Sequence, residues 1–210
     1  MQISTNWLAL KADGLKGRVA VPVSTPNSRI KSQSSADRVL FANYVALDCE
    51  MVEGASIEHM LARVSIVDFE GRVLYDAYVR PREKVVDFRT AITGITRETL
   101  SRRGESFKAV QARVLDILRD KVIVGHAVHH DFEALEMDRP IDALIRDTCL
   151  FPRLRPPNRK QTPSLRLLAE YWLDKVVQTG SHSSVEDARV AMTLYKRFRT
   201  EWEESFKQKK

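Results

Sequence analysis

Cysteine is almost missing from this chain: Cys49 and Cys149 are the only two in 210 residues. They lie far apart and belong to no CxxC or Cys/His cluster, which excludes a disulfide framework and a zinc module and fits a reducing intracellular compartment. No stretch approaches the roughly 20 consecutive apolar residues that cross a bilayer, and the N-terminus lacks the compact apolar block of a signal peptide. Secretion, membrane insertion and a membrane partner are therefore not expected. Internal repeats are absent. Acidic excess is absent too: the net charge is +6 and the sequence pI 9.4. That balance favours a polyanionic partner through Coulomb attraction and counterion release, without identifying one.

What is present is a 43% apolar composition, enough to bury the core of one ordinary domain with a modest extension. Residues 1–43 carry Lys11, Lys16, Arg18, Arg29, Lys31 and Arg38 against Asp13 and Asp37, with many Ser, Thr and Asn, and read as a flexible basic arm. A folded domain is expected over 44–206, with a basic tail at 207–210. Tyr44–Met51 reads as a central strand buried on both faces. Leu61–Phe69 and Arg72–Val79 read as a hairpin closed at Glu70-Gly71 and stopped by Pro81. Phe107, Val110, Val114, Ile117 and Leu118 recur with the period of one helix face. Lys121–Gly125 and Leu144–Thr148 read as strands, and His130–Met137, Ser164–Leu173 and Val185–Phe206 as helices. A strand hairpin followed by β-α-β-α alternation predicts an α/β domain, a mixed sheet flanked by helices.

Within this pattern the acids are the informative residues. Asp48 and Glu50 are two apart on a strand, so both point to one face of an otherwise apolar sheet, where an unpartnered carboxylate costs several kcal/mol. A strand end emerging into solvent would also explain the pair. Asp131 lies where Gly125-His-Ala-Val-His-His-Asp131 passes from strand to helix, and a first-turn Asp also has a simple explanation in the helix dipole. Asp187 shares a helix face with Ala191, Leu194 and Phe198, directed at the sheet, while Ser183 and Glu186 read as a capping box that leaves Asp187 unexplained. An inward carboxylate needs a partner. Two divalent cations, Mg²⁺ or Mn²⁺, shared by Asp48, Glu50, Asp131 and Asp187 would satisfy all four, and their chemistry is two-metal phosphodiester cleavage. His182, just outside the helix, is suited to take the proton of the attacking water. His126, His129 and His130 lack the partners of a metal site and read as packing or surface residues.

Asp48-Cys-Glu-Met51, Gly125-His126 to Asp131 and His182-Ser-Ser-Val-Glu-Asp187 resemble, in order and spacing, the three motifs of the DEDDh exonucleases. Leu61-Ala-Arg-Val-Ser-Ile-Val67, Phe88-Arg-Thr90, Arg146-Asp-Thr148 and Ser164-Leu-Arg-Leu-Leu-Ala169 narrow the resemblance to the RNA exonuclease 4 family and its interferon-stimulated relatives. The likeness runs from Tyr44 to Trp202, and Asn6-Trp7 resembles a short N-terminal motif of that family. It implies an RNase H-like fold with a five-stranded sheet in order 3-2-1-4-5. It further implies 3′-to-5′ removal of nucleoside 5′-monophosphates from single-stranded RNA with a free 3′ end. Met51 matches the residue wedged against the terminal base and Arg89 a substrate-contacting arginine. Two positions depart from the pattern: His130 stands where relatives often carry Asn, and Glu53 interrupts Met-Val-Gly. Both bear on the shape of the pocket around the 3′ end, and neither removes a metal ligand.

The segment Phe151–Pro163 contains Arg153, Arg155, Arg159 and Lys160 and no acid, and it follows a strand expected to run parallel to the Asp48 strand. It is expected to track the substrate backbone. A monomer is expected. The resemblance favours nucleus or nucleolus and ribosomal RNA processing, although the Ser-rich arm also permits a mitochondrial address. The competing readings are a non-catalytic RNA-binding factor in ribosome assembly and a DNA-directed nuclease on the same fold.

Overall fold

In the computed structural model, residues 41–138, 144–157 and 161–207 are described. They fall within the unit Ser35–Lys210; the other unit of the chain, Met1–Ser34, lies outside them, as do most of the expected arm and residues 208–210. The first strand, β1 (Tyr44–Gly54), is longer than its apolar run because it passes through a bulge between Glu50 and Met51 and continues outward. It pairs antiparallel with β2 (Met60–Asp68), which turns into β3 (Val73–Tyr78). Gly71 sits in that turn at φ +85°, a conformation that side chains other than glycine rarely adopt. On its other edge β1 pairs in parallel with β5 (Val122–Gly125), which pairs in parallel with β6 (Ile145–Asp147).

The sheet order is β3-β2-β1-β5-β6. Counting these five strands alone, this is the expected 3-2-1-4-5 arrangement. The structure corrects the strand count: a sixth, β4 (Val85–Asp87), pairs with the outer end of β1 at Glu53 and Gly54. After it come two short helices with no counterpart in the sequence reading, α1 (Thr90–Thr93) and α2 (Arg97–Arg103). Among the described residues no helix is long and apolar enough to cross a membrane.

Alternation along β1 divides the core. Val45, Leu47 and Cys49 pack against α3 (Phe107–Leu118) and α4 (His129–Ala134), through Phe107, Val110, Val114 and Phe132. Ala46 faces α5 (Leu165–Leu173) and α6 (Ser184–Lys207), meeting Leu168, Ala191, Leu194 and Tyr195. Each fully enclosed Leu on these faces contributes roughly 1.5–3 kcal/mol of burial. Beyond the bulge, Val52 joins Met60, Ala62, Ile95 and Leu100 in a third cluster roofed by α1 and α2. The alternation that puts Ala46 under α6 puts Asp48 and Glu50 on that side too. At the opposite end of the sheet, Phe41 stacks on Phe69 with ring centroids 4.2 Å apart, so packing begins before Tyr44.

Candidate active site

Four local devices bring the acids together. Asp48 pairs in register with Ser65 of β2, and the buried Ser65 hydroxyl lies 2.7 Å from the hydroxyl of Ser184, the first residue of α6. That contact pins the first turn of α6 to the strand beside Asp48, and Asp187 follows one turn later. Glu186 does not close a capping box; its carboxylate meets Lys175, while the Ser183 carbonyl accepts from the Asp187 N–H.

Asp131 is placed by a turn that β6 holds in shape. Asp147, buried at the end of β6, accepts the backbone N–H of Ala127 at 2.9 Å and of Val128 at 3.1 Å. Ala127 is thereby kept at φ +56°, and the same carboxylate also accepts from Cys149 N–H. A Cβ on Gly125 would stand 2.9 Å from the Val128 side chain, so strand and helix start approach closely only because that residue is glycine. Thr148 donates its hydroxyl to the Gly125 carbonyl and lies 2.9 Å from His126 Nδ1. Asp147 and Thr148 thus buttress the third acid, a role that no local pattern in the sequence reveals.

Glu50, Asp131 and Asp187 are each 4–5% exposed, whereas Asp48 keeps a more open edge. Burial is the leading cause of a raised pKa at all four. Asp48 is held well above the ordinary carboxylate range by burial and then by the charges of Asp131, Asp187 and Glu50. Glu50 is pushed up to about 8 by burial and by Asp187, against a smaller opposing pull from Arg63. Asp131 reaches about 8 through burial, with hydrogen bonds from Cys49 working the other way. Asp187 is raised by burial, moderated by the Gln178 amide that donates to Oδ2 at 2.8 Å and by His182. One buried oxygen, Glu50 Oε1, has no hydrogen-bond partner among the described residues.

These observations test the fit of a cation. An orphaned carboxylate oxygen beside three further acids is a set of hard oxygen donors suited to a hard divalent ion. Among the described residues no group of three His, Cys, Asp or Glu is closed tightly around one point.

His182 stands at the rim, its side chain 31% exposed and its Nδ1 3.9 Å from Asp187 Oδ2. Its backbone N–H is anchored on the Ile92 carbonyl, so α1 holds the histidine segment. Met51 packs at the edge of the α3 side of the core. Arg89, at φ +49°, places Nη2 3.3 Å from Glu53 Oε2 and Nη1 3.4 Å from His59 Nδ1. Glu53, the departure noted in the sequence, is thus the partner of Arg89. Of the basic segment, Arg153 is held by Glu201 at 2.7 Å, about 20 Å along α6 from Asp187 at 1.5 Å per residue, so this arginine does not converge with the acids. Arg155 is exposed and carries no such partner in the described contacts, and Arg159 and Lys160 lie outside the described residues.

A mixed sheet flanked by helices, with acids gathered at the end of its central strand, defines an RNase H-like nuclease domain. The Exonuclease family RNase_T matches residues 45–195. RNA exonuclease 4 of Xenopus tropicalis is 49% identical over 168 residues, covering 79% of this chain and 40% of that protein. RNA exonuclease 4 of Candida glabrata is 38% identical over 191 residues, covering 89% and 71%. Among solved structures, the Saccharomyces cerevisiae Pan2 pseudoubiquitin hydrolase-RNA exonuclease module in complex with AAGGAA RNA superimposes with a TM-score of 0.67 at 29% identity. That match covers 77% of this chain and 29% of the other. The chain belongs to the RNA exonuclease 4 family. It spans about 40% of the length of the Xenopus relatives.

Proposed function

We propose that this domain is a metal-dependent 3′-to-5′ exoribonuclease of the DEDDh type, releasing nucleoside 5′-monophosphates from single-stranded RNA with a free 3′ end. The observation that carries the reading is the quartet of Asp48, Glu50, Asp131 and Asp187, the last three buried, with Glu50 Oε1 unpartnered among the described residues, in a chain of this family. Asp48, Glu50, Asp131 and Asp187 would hold two divalent cations, Mg²⁺ or Mn²⁺, which supply charge neutralisation at the attacked phosphate and the leaving oxygen. His182 takes the proton of the attacking water. Its Nδ1 lies 3.9 Å from Asp187 Oδ2, which places the ring beside the acids. Met51 and Arg89 border the 3′-terminal nucleotide. Ribosomal RNA processing in the nucleus or nucleolus is the setting proposed for it.

The test is an end-labelled single-stranded RNA incubated with the full chain and Mg²⁺, Mn²⁺ or EDTA, beside a 3′-blocked RNA, a DNA of the same sequence and the Asp187→Asn variant. The proposal expects a ladder from the 3′ end with mononucleotide product, lost with EDTA, with the block and in the variant. Internal cuts in the blocked RNA would refute the polarity, preference for DNA the substrate, and absence of any cleavage the enzyme.

A further inference from the structure

The chain has five histidines, and three of them, His59, His129 and His130, form a surface row that the catalytic proposal does not use. All three are exposed. The His129 and His130 rings, neighbours in the chain, lie with centroids 3.9 Å apart and planes tilted by 38°, and the His59 ring lies 6.2 Å from His130, tilted by 52°. His130 Nδ1 is 3.5 Å from Glu133, and His59 Nδ1 faces Arg89. No core cluster includes them, so packing gives no reason for three rings to be in one place. Nor does a metal: among the described residues their nitrogens do not converge with other ligands on a point.

Their position is informative. His129 and His130 open α4 immediately before Asp131. His59 precedes Met60, which pairs with Val52, and Val52 is two residues beyond Glu50 on β1, roughly 7 Å outward. The row therefore borders the mouth of the acid quartet on the side of Arg89, whose guanidinium also meets Glu53 Oε2 at 3.3 Å. Exposed flat rings beside a cation are what unstacked nucleobases and their phosphates dock on: bases stack on imidazole as on other aromatic rings, whichever base they are, and the cation meets the backbone.

We propose that His59, His129 and His130 form a stacking platform for the bases just upstream of the 3′-terminal nucleotide, with Arg89 serving the adjoining phosphate. The platform takes single-stranded RNA, because paired bases have no free faces to offer. It rests on the nuclease reading only for the place of the 3′ end, and its own evidence is the ring geometry.

The experiment measures binding of a 5′-fluorescein single-stranded RNA to the full chain in EDTA, by anisotropy, so that nothing is cleaved. A matched RNA carries abasic sugars at the second and third positions from the 3′ end. The His59→Ala/His130→Ala variant is expected to bind intact RNA at least about fivefold more weakly than the wild type, and the abasic RNA equally well. His130→Phe, which keeps a ring in place, is expected to hold intact RNA as the wild type does, and it carries the test if the double variant fails to fold. Equal losses on both RNAs, no loss on intact RNA, weak binding by His130→Phe, or no binding by the wild type would each overturn the platform. Cleavage by the wild type in Mn²⁺ without sensitivity to the abasic sites sinks the platform and leaves the nuclease standing. Abasic sensitivity without cleavage does the reverse.

Discussion

Near its C-terminal end, α6 faces Arg146, whose guanidinium makes two bonds of 2.8 Å to Glu203, while the Tyr195 hydroxyl donates to the same carboxylate at 2.7 Å. Near its N-terminal end the same helix turns Asp187 toward three more acids and, among the described residues, no cation bonded to it as Arg146 is to Glu203. Arg63, the cation that acts on Glu50, is itself bonded through Nε and Nη2 to Asp76. Burial works against charge at both ends, but at Glu203 the Arg146 and Tyr195 bonds outweigh it and hold the pKa below its ordinary value, whereas Glu50 and Asp131 rise to about 8. The lesson is that burial of charge says little about purpose until its partners are named. A satisfied network maintains the fold; an unsatisfied one awaits a ligand and lowers the stability of the domain without it.

The contrast can be broken first at its acid end. Asp48→Asn is expected to reduce exonuclease turnover by about 10⁴-fold or more, beyond the range of a lost proton acceptor, while raising the melting temperature of metal-free protein at pH 8. A variant that loses activity and stability together would show that Asp48 belongs with the structural networks. His182→Ala is expected to lose about 10² to 10⁴ in turnover and to keep its affinity for RNA and Mn²⁺, read by titration without turnover. Near-normal turnover would remove the assigned proton transfer.

At the other end Arg146→Ala leaves a carboxylate half-enclosed without its partner, at a cost of about 3 kcal/mol or roughly 150-fold in the folding equilibrium, checked by denaturant unfolding. The turnover of the folded fraction should stay within a few-fold of wild type. The two ends also separate in pH. Glu50 and Asp131 have folded pKa values raised from 4.5 and 3.8 to about 8, so the stability they contribute is full below about pH 4 and is lost as pH rises through 8. Glu203 is lowered, so its contribution is present above its ordinary value of 4.5 and is lost in acid. Saturating Mg²⁺ or Mn²⁺ should therefore raise the melting temperature by several degrees at pH 8 and by much less at pH 5. Equal shifts at both pH values would mean that the ion binds elsewhere. The smallest effect belongs to the basic segment. Arg155→Glu should reduce the salt slope of RNA binding by about one unit, and Arg153→Glu by less, because Arg153 already has Glu201.

Much of this was legible in the chain. The apolar periods of β1, buried on both faces, and of one face each of α3 and α6 carry long elements, and each forms close to where its period places it. The acids stood out because they interrupt those periods. Short elements did not show: β4 exists only because β1 runs on past its bulge, and α1 buries Thr93 alone. Residues that act across the fold were equally silent. Asp147 caps a turn twenty residues earlier in the chain, and Gln178 reaches Asp187 from an irregular segment. Neither has a local signature, since each hydrogen bond depends on two strands or a loop and a helix having already met.

The hydroxyl contact between Ser65 and Ser184 gives the site a datum made by two groups that carry no charge themselves. Protons and cations can come and go among the acids, and their mutual repulsion will change with each arrival. The gap between β2 and the start of α6 is gauged by two neutral hydroxyls, and Ser65 also donates to Asp76, which is bonded to Arg63. The walls of the site are thus ruled to one spacing before any ligand enters, and a bound ion has only the carboxylates to adjust.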